Sequence, residues 1–107
     1  MKTIDECIAQ EIIEEIQNQE VRWGIQNHDV QRYGVILMEE AGEFCQAAND
    51  IYFCEASKKS LKESIKNARL ELIQTAAVAI SIVKMLDRNY KIEEEEDVII
   101  PIKRQKE

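Results

Sequence analysis

Glu39, Glu40 and Glu43 stand close together in the chain, and 27 residues further on Glu71 is followed three positions later by Gln74. Residues three and four apart share one face of an α-helix, so each group can present several oxygens on one side. Hard oxygens converging without nitrogen or sulfur suit magnesium or manganese. A carboxylate beside such a centre can also orient or deprotonate a water.

What these acids can do depends on which helical face carries them. With Glu40 at zero and about 100° per residue, Tyr33 and Ile51 fall at about +20°, Phe44 at about +40°, Ala47 at about −20° and Ile36 at about −40°. Glu43, at about −60°, lies with Glu40 inside this apolar arc, and Glu39, about 100° round, stands at its edge. On the later segment Val78, Ile82 and Met85 lie within about 40° of Glu71, and Gln74 at about −60°. A carboxylate on a core-facing stripe costs several kcal/mol unless it neutralises or finds a cation. That cation is either a basic side chain or a metal. The nearby bases Lys59, Lys62, Lys66 and Arg69 form a stripe about 160° to 240° from Glu71, pointing away from it. They read most simply as a solvated face, or as phosphate contacts offered to another subunit.

Three helices must position these residues. The chain has 107 residues, 45% hydrophobic and 33% charged, with only 3 Gly and 1 Pro. A composition of this kind is globular, and so few turn residues disfavour a sandwich or barrel. Ile4, Ile8, Ile12, Ile13 and Ile16 set a helical stripe over residues 4 to 20. Gly24 breaks it, and Asn27 or Asp29 can cap a second helix from about Val30 to Cys54. A loop is expected around Glu55 to Lys59. Ser60 and Glu63 then match a capping box for a third helix reaching about Asp87. Its centre, Leu72 to Val83, is 12 uncharged and mostly apolar residues. That length is too short to span a bilayer, and a helix apolar nearly all round is buried on more than one side. The expected fold is therefore all-α, a helical bundle completed by homo-oligomerisation, with residues 1–90 as the domain. Residues 91–107 form an acidic, extended tail whose Val98 to Ile102 is a β-edge piece, an arm onto a partner subunit, or disordered.

Charge and cysteines narrow the partners. The net charge is −7, and removing the tail leaves 15 acids against 10 bases in residues 1–90, still −5. Nucleic acid polymers and anionic membranes need a basic field, so neither is an expected partner. Cys7, Cys45 and Cys54 are odd in number and form no C-x-x-C pair, so they are expected to be buried small hydrophobes in a reducing cytoplasm. No apolar h-region marks a signal peptide at the N-terminus. A di-iron site of the Glu-x-x-His type has no second histidine beyond His28, and no calcium loop, P-loop or dinucleotide fingerprint is present.

Glu39-Glu40-x-x-Glu43 followed by Glu71-x-x-Gln74 resembles the EExxE…ExxD signature of the MazG-like all-α nucleoside triphosphate pyrophosphohydrolases. The resemblance covers about residues 20 to 88. It is extended by Trp23-Gly-x-Gln-Asn-His28 before the first motif and by the run from Glu71 to Ala79. It implies cleavage of a nucleoside triphosphate to monophosphate and pyrophosphate, with magnesium on Glu40, Glu43, Glu71 and the position of Gln74. Glu39 would then activate the water, and a homodimer or homotetramer is expected. Trp23 and His28 become candidate base or sugar contacts, and Tyr33 is either core or base platform. Gln74 departs from the family's Asp and removes one negative charge. The alternative is accordingly a nucleotide- or metal-binding bundle with weak or no catalysis.

Overall fold

In a computed structural model the chain is described over residues 1–57, 59–93 and 98–101. Helix α1 (Ile4–Trp23) opens on a capping box, in which the Glu6 backbone N–H donates to Thr3 Oγ1 at 3.1 Å and the Thr3 N–H donates to Glu6 Oε1 at 3.4 Å. A cap of this kind contributes about 1 kcal/mol by satisfying donors that the first turn leaves free. The helix ends at Gly24, whose φ of 73° lies in the region that a side chain disfavours.

Asp29 is the cap of α2 (Val30–Tyr52), its carboxylate accepting from the Arg32 N–H at 2.8 Å. Ser60 caps α4 (Leu61–Asn89) through the Glu63 N–H at 3.1 Å. Between them the expected loop contains a single helical turn, α3 (Cys54–Ser57). Helix α4 also runs two residues past Asp87, because no Gly or Pro stops it before strand β1 (Tyr90–Glu93). β1 pairs antiparallel with β2 (Val98–Pro101), Tyr90 opposite Pro101 and Glu93 opposite Val98. Of the alternatives for the tail, these residues take the β-paired one, as β-branched Val98, Ile99 and Ile100 favour. The acidic run at 94–97 and residues 102–107 lie outside the described residues.

Helix α4 is the centre of the fold. Both α1 and α2 pack on it and scarcely on each other. The core around α4 is drawn tight by small side chains: Ala47, Ser64, Ala68 and Ala77 are all buried, with Tyr33, Val78 and Met85 as large members. Leu61, Ile65, Leu72 and Val83, on the side of α4 away from this core, each keep roughly half their surface exposed. The cysteines depart from expectation: Cys7 and Cys45 are exposed and Cys54 is half-buried. Cys45 lies about 140° round α2 from Glu40, outside the buried arc, and Cys7 sits in the first turns of α1, where no other element covers it. No helix among the described residues is long and apolar enough to cross a membrane.

Candidate functional site

Because α1 and α2 diverge across α4, a cleft of about 350 Å³ opens between them, with Val78 and Ser81 of α4 as its floor. The α1–α2 connection closes one end. Tyr33 donates its hydroxyl to the Gln26 carbonyl at 2.7 Å, and His28 Nε2 lies 2.9 Å from Gln26 Oε1. From α4, Asn89 Nδ2 donates to Asn27 Oδ1 at 3.1 Å and Arg88 donates to the Gln26 carbonyl at 3.3 Å. The connection is thus fastened to the ends of both helices.

At the other end stand the acids. Glu40 lines the cleft, and one carboxylate oxygen each from Glu40, Glu43 and Glu71 lie within 4.8 Å of one another. Two antiparallel helices at close approach produce this cluster, since the small residues of the core around α4 let the backbones come near. Glu40 Oε2 and Glu71 Oε2 are buried and accept no hydrogen bond. Burial raises the Glu40 pKa above the ordinary carboxylate value, with the like charges of Glu43, Glu15 and Glu39 adding to it. The Glu71 carboxyl is raised too, first by burial, then by the Glu43 carboxyl that can share its proton and by the charges of Glu43 and Glu40. No ion pair among the described residues reaches these three acids. Of the two cations that the spacing left open, a basic side chain is therefore not the one supplied here.

The donor set fits a hard divalent cation. Three carboxylates can offer enough oxygens to share its coordination with water and phosphate, and a cation would satisfy the orphaned atoms on Glu40 and Glu71. Gln74 is half-buried one turn beyond Glu71, where an amide oxygen can add a neutral donor but no charge. Glu39 is exposed beside the cluster and stands outside the three that converge. Glu43 is also exposed, so the apolar arc places it at the rim and not in the core.

Trp23, His28 and Tyr33 all line the same cleft. Trp23 is 59% exposed, its ring covered on one side by the Arg22 guanidinium at 4.7 Å. Tyr33 is 5% exposed and meets His28 edge-on at 5.2 Å, so it is a core residue that also braces the cleft wall. The basic stripe is only partly solvated: Arg69 pairs with Glu11 at 2.6 Å and Lys59 with Asp50 at 3.0 Å. Sequence reasoning overlooked Arg32, Lys84 and Arg88, which also line the cleft. Helical phase could have found them, because Arg32 lies about 80° from Glu40 on the Glu43 side and Arg88 about 100° from Glu71 on the Gln74 side. Compared with family models, curated proteins and solved structures, the chain matches none.

Proposed function

We propose that this protein is a magnesium-dependent nucleotide pyrophosphohydrolase, cleaving a nucleoside triphosphate to monophosphate and pyrophosphate in control of the nucleotide pool. The observation that carries this reading is the convergence of Glu40, Glu43 and Glu71 at one end of a cleft, two of their oxygens buried without a partner. Magnesium or manganese bound there would neutralise phosphate oxygens and polarise the scissile phosphoryl group. Glu40, Glu43 and Glu71 would hold it, with Gln74 as a neutral fourth donor. Glu39, exposed and next to Glu40 in the chain, would take the proton of the attacking water. Trp23 and His28 supply ring faces for the base or sugar, and Tyr33 holds the wall that carries them.

The exposed Leu61, Ile65, Leu72 and Val83 on α4 support a homodimer or homotetramer, since burying such a stripe is the main driving force for association. A cytoplasmic location accords with cysteines that form no disulfide among the described residues. Gln74 favours a second reading, a bundle that binds metal and nucleotide but turns over slowly, because one charge is missing from the expected set.

A panel of canonical and modified nucleoside triphosphates, incubated with magnesium and assayed for pyrophosphate, tests the proposal. Release that is metal-dependent and abolished by Glu40→Gln with Glu43→Gln is the expected result. No release from any triphosphate, together with no metal-dependent shift in melting temperature, would overturn it. Metal and nucleotide binding without turnover, restored by Gln74→Asp, would establish the second reading instead.

A further inference from the structure

The cleft carries three cations, Arg32, Lys84 and Arg88, against two acids, Glu20 and Glu40. Away from the end formed by Glu40, Glu43 and Glu71, three cations face Glu20 alone, a local surplus that is unexpected on a chain of net charge −7. Lys84 is already engaged, its Nζ 2.9 Å from Glu20 Oε1. The two arginines are not. Arg88 donates only to neutral acceptors, the Gln26 carbonyl at 3.3 Å and Asn27 Oδ1 at 3.5 Å, and among the described residues neither guanidinium lies within ion-pair distance of a carboxylate. Arg88 is therefore held in place with its charge unspent, by the same connection that closes the cleft.

Both arginines stand well away from the metal-binding acids. Arg32 is eight residues before Glu40 on α2, about 12 Å at 1.5 Å per residue, and Arg88 is seventeen residues beyond Glu71 on α4, about 26 Å. The cleft thus has an acidic end and a guanidinium end set apart along the helix axes by about 12 Å or more. Guanidinium groups bind phosphate oxygens through paired N–H donors, and a walled cleft focuses their field.

We propose that Arg32 and Arg88 form a phosphate-binding subsite at the closed end of the cleft, so that it takes ligands with anionic groups at both ends. This rests on the nucleotide reading for its metal end only. The phosphate has two sources: the far end of an extended polyphosphate chain, or a second phosphate on the sugar of a nucleotide whose 5′-phosphates sit at the acids.

Calorimetric titration of the full chain at low ionic strength, with inorganic triphosphate, adenosine triphosphate and adenosine 3′,5′-bisphosphate, tests the subsite. The comparison is between wild type, Arg32→Gln and Arg88→Gln. Among the described residues the Arg32 side chain makes no hydrogen bond or ion pair, so its variant removes charge without breaking one; melting temperatures of both variants check that the fold is kept. The expected result is a three- to tenfold loss of affinity in each variant for at least one probe, with a shallower salt dependence. Loss confined to the bisphosphate identifies a sugar phosphate as the source, and loss with inorganic triphosphate identifies the chain end. Wild-type affinity and salt dependence for all three probes in both variants would overturn the subsite. Manganese titrated alone reports the acids separately. Failure of manganese to bind, with the arginine effects intact, defeats the metal-dependent function and leaves the subsite standing, whereas the reverse pattern does the opposite.

Discussion

Two grooves flank α1, of nearly equal volume, and their charges are arranged differently. The groove lined by Glu11, Glu14, Glu15, Lys66 and Arg69 has more acids than bases, and its Arg69 is paired with Glu11 at 2.6 Å. The cleft on the other side ends at three carboxylates and, among the described residues, has neither an ion pair to them nor a carboxylate within ion-pair distance of Arg32 and Arg88. Volume does not separate a ligand site from a surface furrow here. The arginines do, because in one groove Arg69 is neutralised by Glu11 while in the other the neutralisation of Arg32 and Arg88 is left to something that binds.

The largest effect that bears on this contrast is at the acids. Glu40→Gln together with Glu43→Gln removes two charged ligands, and manganese affinity measured by calorimetry should fall by at least about 100-fold, about 2.8 kcal/mol at about 1.4 kcal/mol per tenfold. The helices should persist, since neither side chain makes an ion pair. Retained affinity would mean that the cluster is not the metal site.

Next in size is Gln74→Asp. A fourth carboxylate beside Glu71 should raise manganese affinity by about tenfold, an added charge in a site of hard oxygens being a strong lever on divalent binding. The same substitution should lower the stability of the metal-free chain, because it adds repulsion to carboxylates that have no cation. Calorimetry and thermal melting with and without metal separate the two.

The pH dependence follows from the raised Glu40 and Glu71 carboxyl groups. Between the ordinary carboxylate value of 4.5 and the raised ones, the folded chain holds protons that the unfolded chain has released. Stability of the metal-free protein should therefore fall as pH rises through that window and recover on acidification. Metal affinity should move the other way, lost as pH falls because protons compete for the same oxygens. Melting curves across pH 4 to 7, with chelator and with manganese, should cross. Parallel curves would mean that the acids find their neutralising partner elsewhere.

The smallest effect concerns the second groove. Glu11→Gln frees Arg69, and the exposed pair is worth about 0.2 to 1 kcal/mol, so thermal stability should change little. It should not create measurable affinity for inorganic triphosphate, since this groove has neither the carboxylate end nor the closing connection. If it did, a free guanidinium in any furrow would suffice, and the contrast between the grooves would lose its meaning.

Much of the fold was legible from residue pattern. The isoleucine stripe of α1, the Asp29 and Ser60 caps and the apolar centre of α4 each follow from local rules that act within one or two turns. The phase of Glu40, Glu43 and Glu71 on their helices was equally readable, because 3.6 residues per turn fixes which side chains share a face. Cys7 and Cys45 were misplaced because a residue's type says what it tolerates, while its burial depends on which neighbour arrives.

By itself, then, the sequence determined the helices, their caps and the acids each would carry. Only the tertiary structure decided that α1 and α2 both lean on α4 and leave a cleft between them, that the acids of two helices meet within 4.8 Å, and that Arg32 and Arg88 end up in that cleft with no ion pair among the described residues. The physical reason is range. Backbone hydrogen bonding and side-chain phase act over a few residues, whereas the pairing or exposure of a charge is set by groups 30 to 60 positions away, and these are brought together only when the core around α4 is packed.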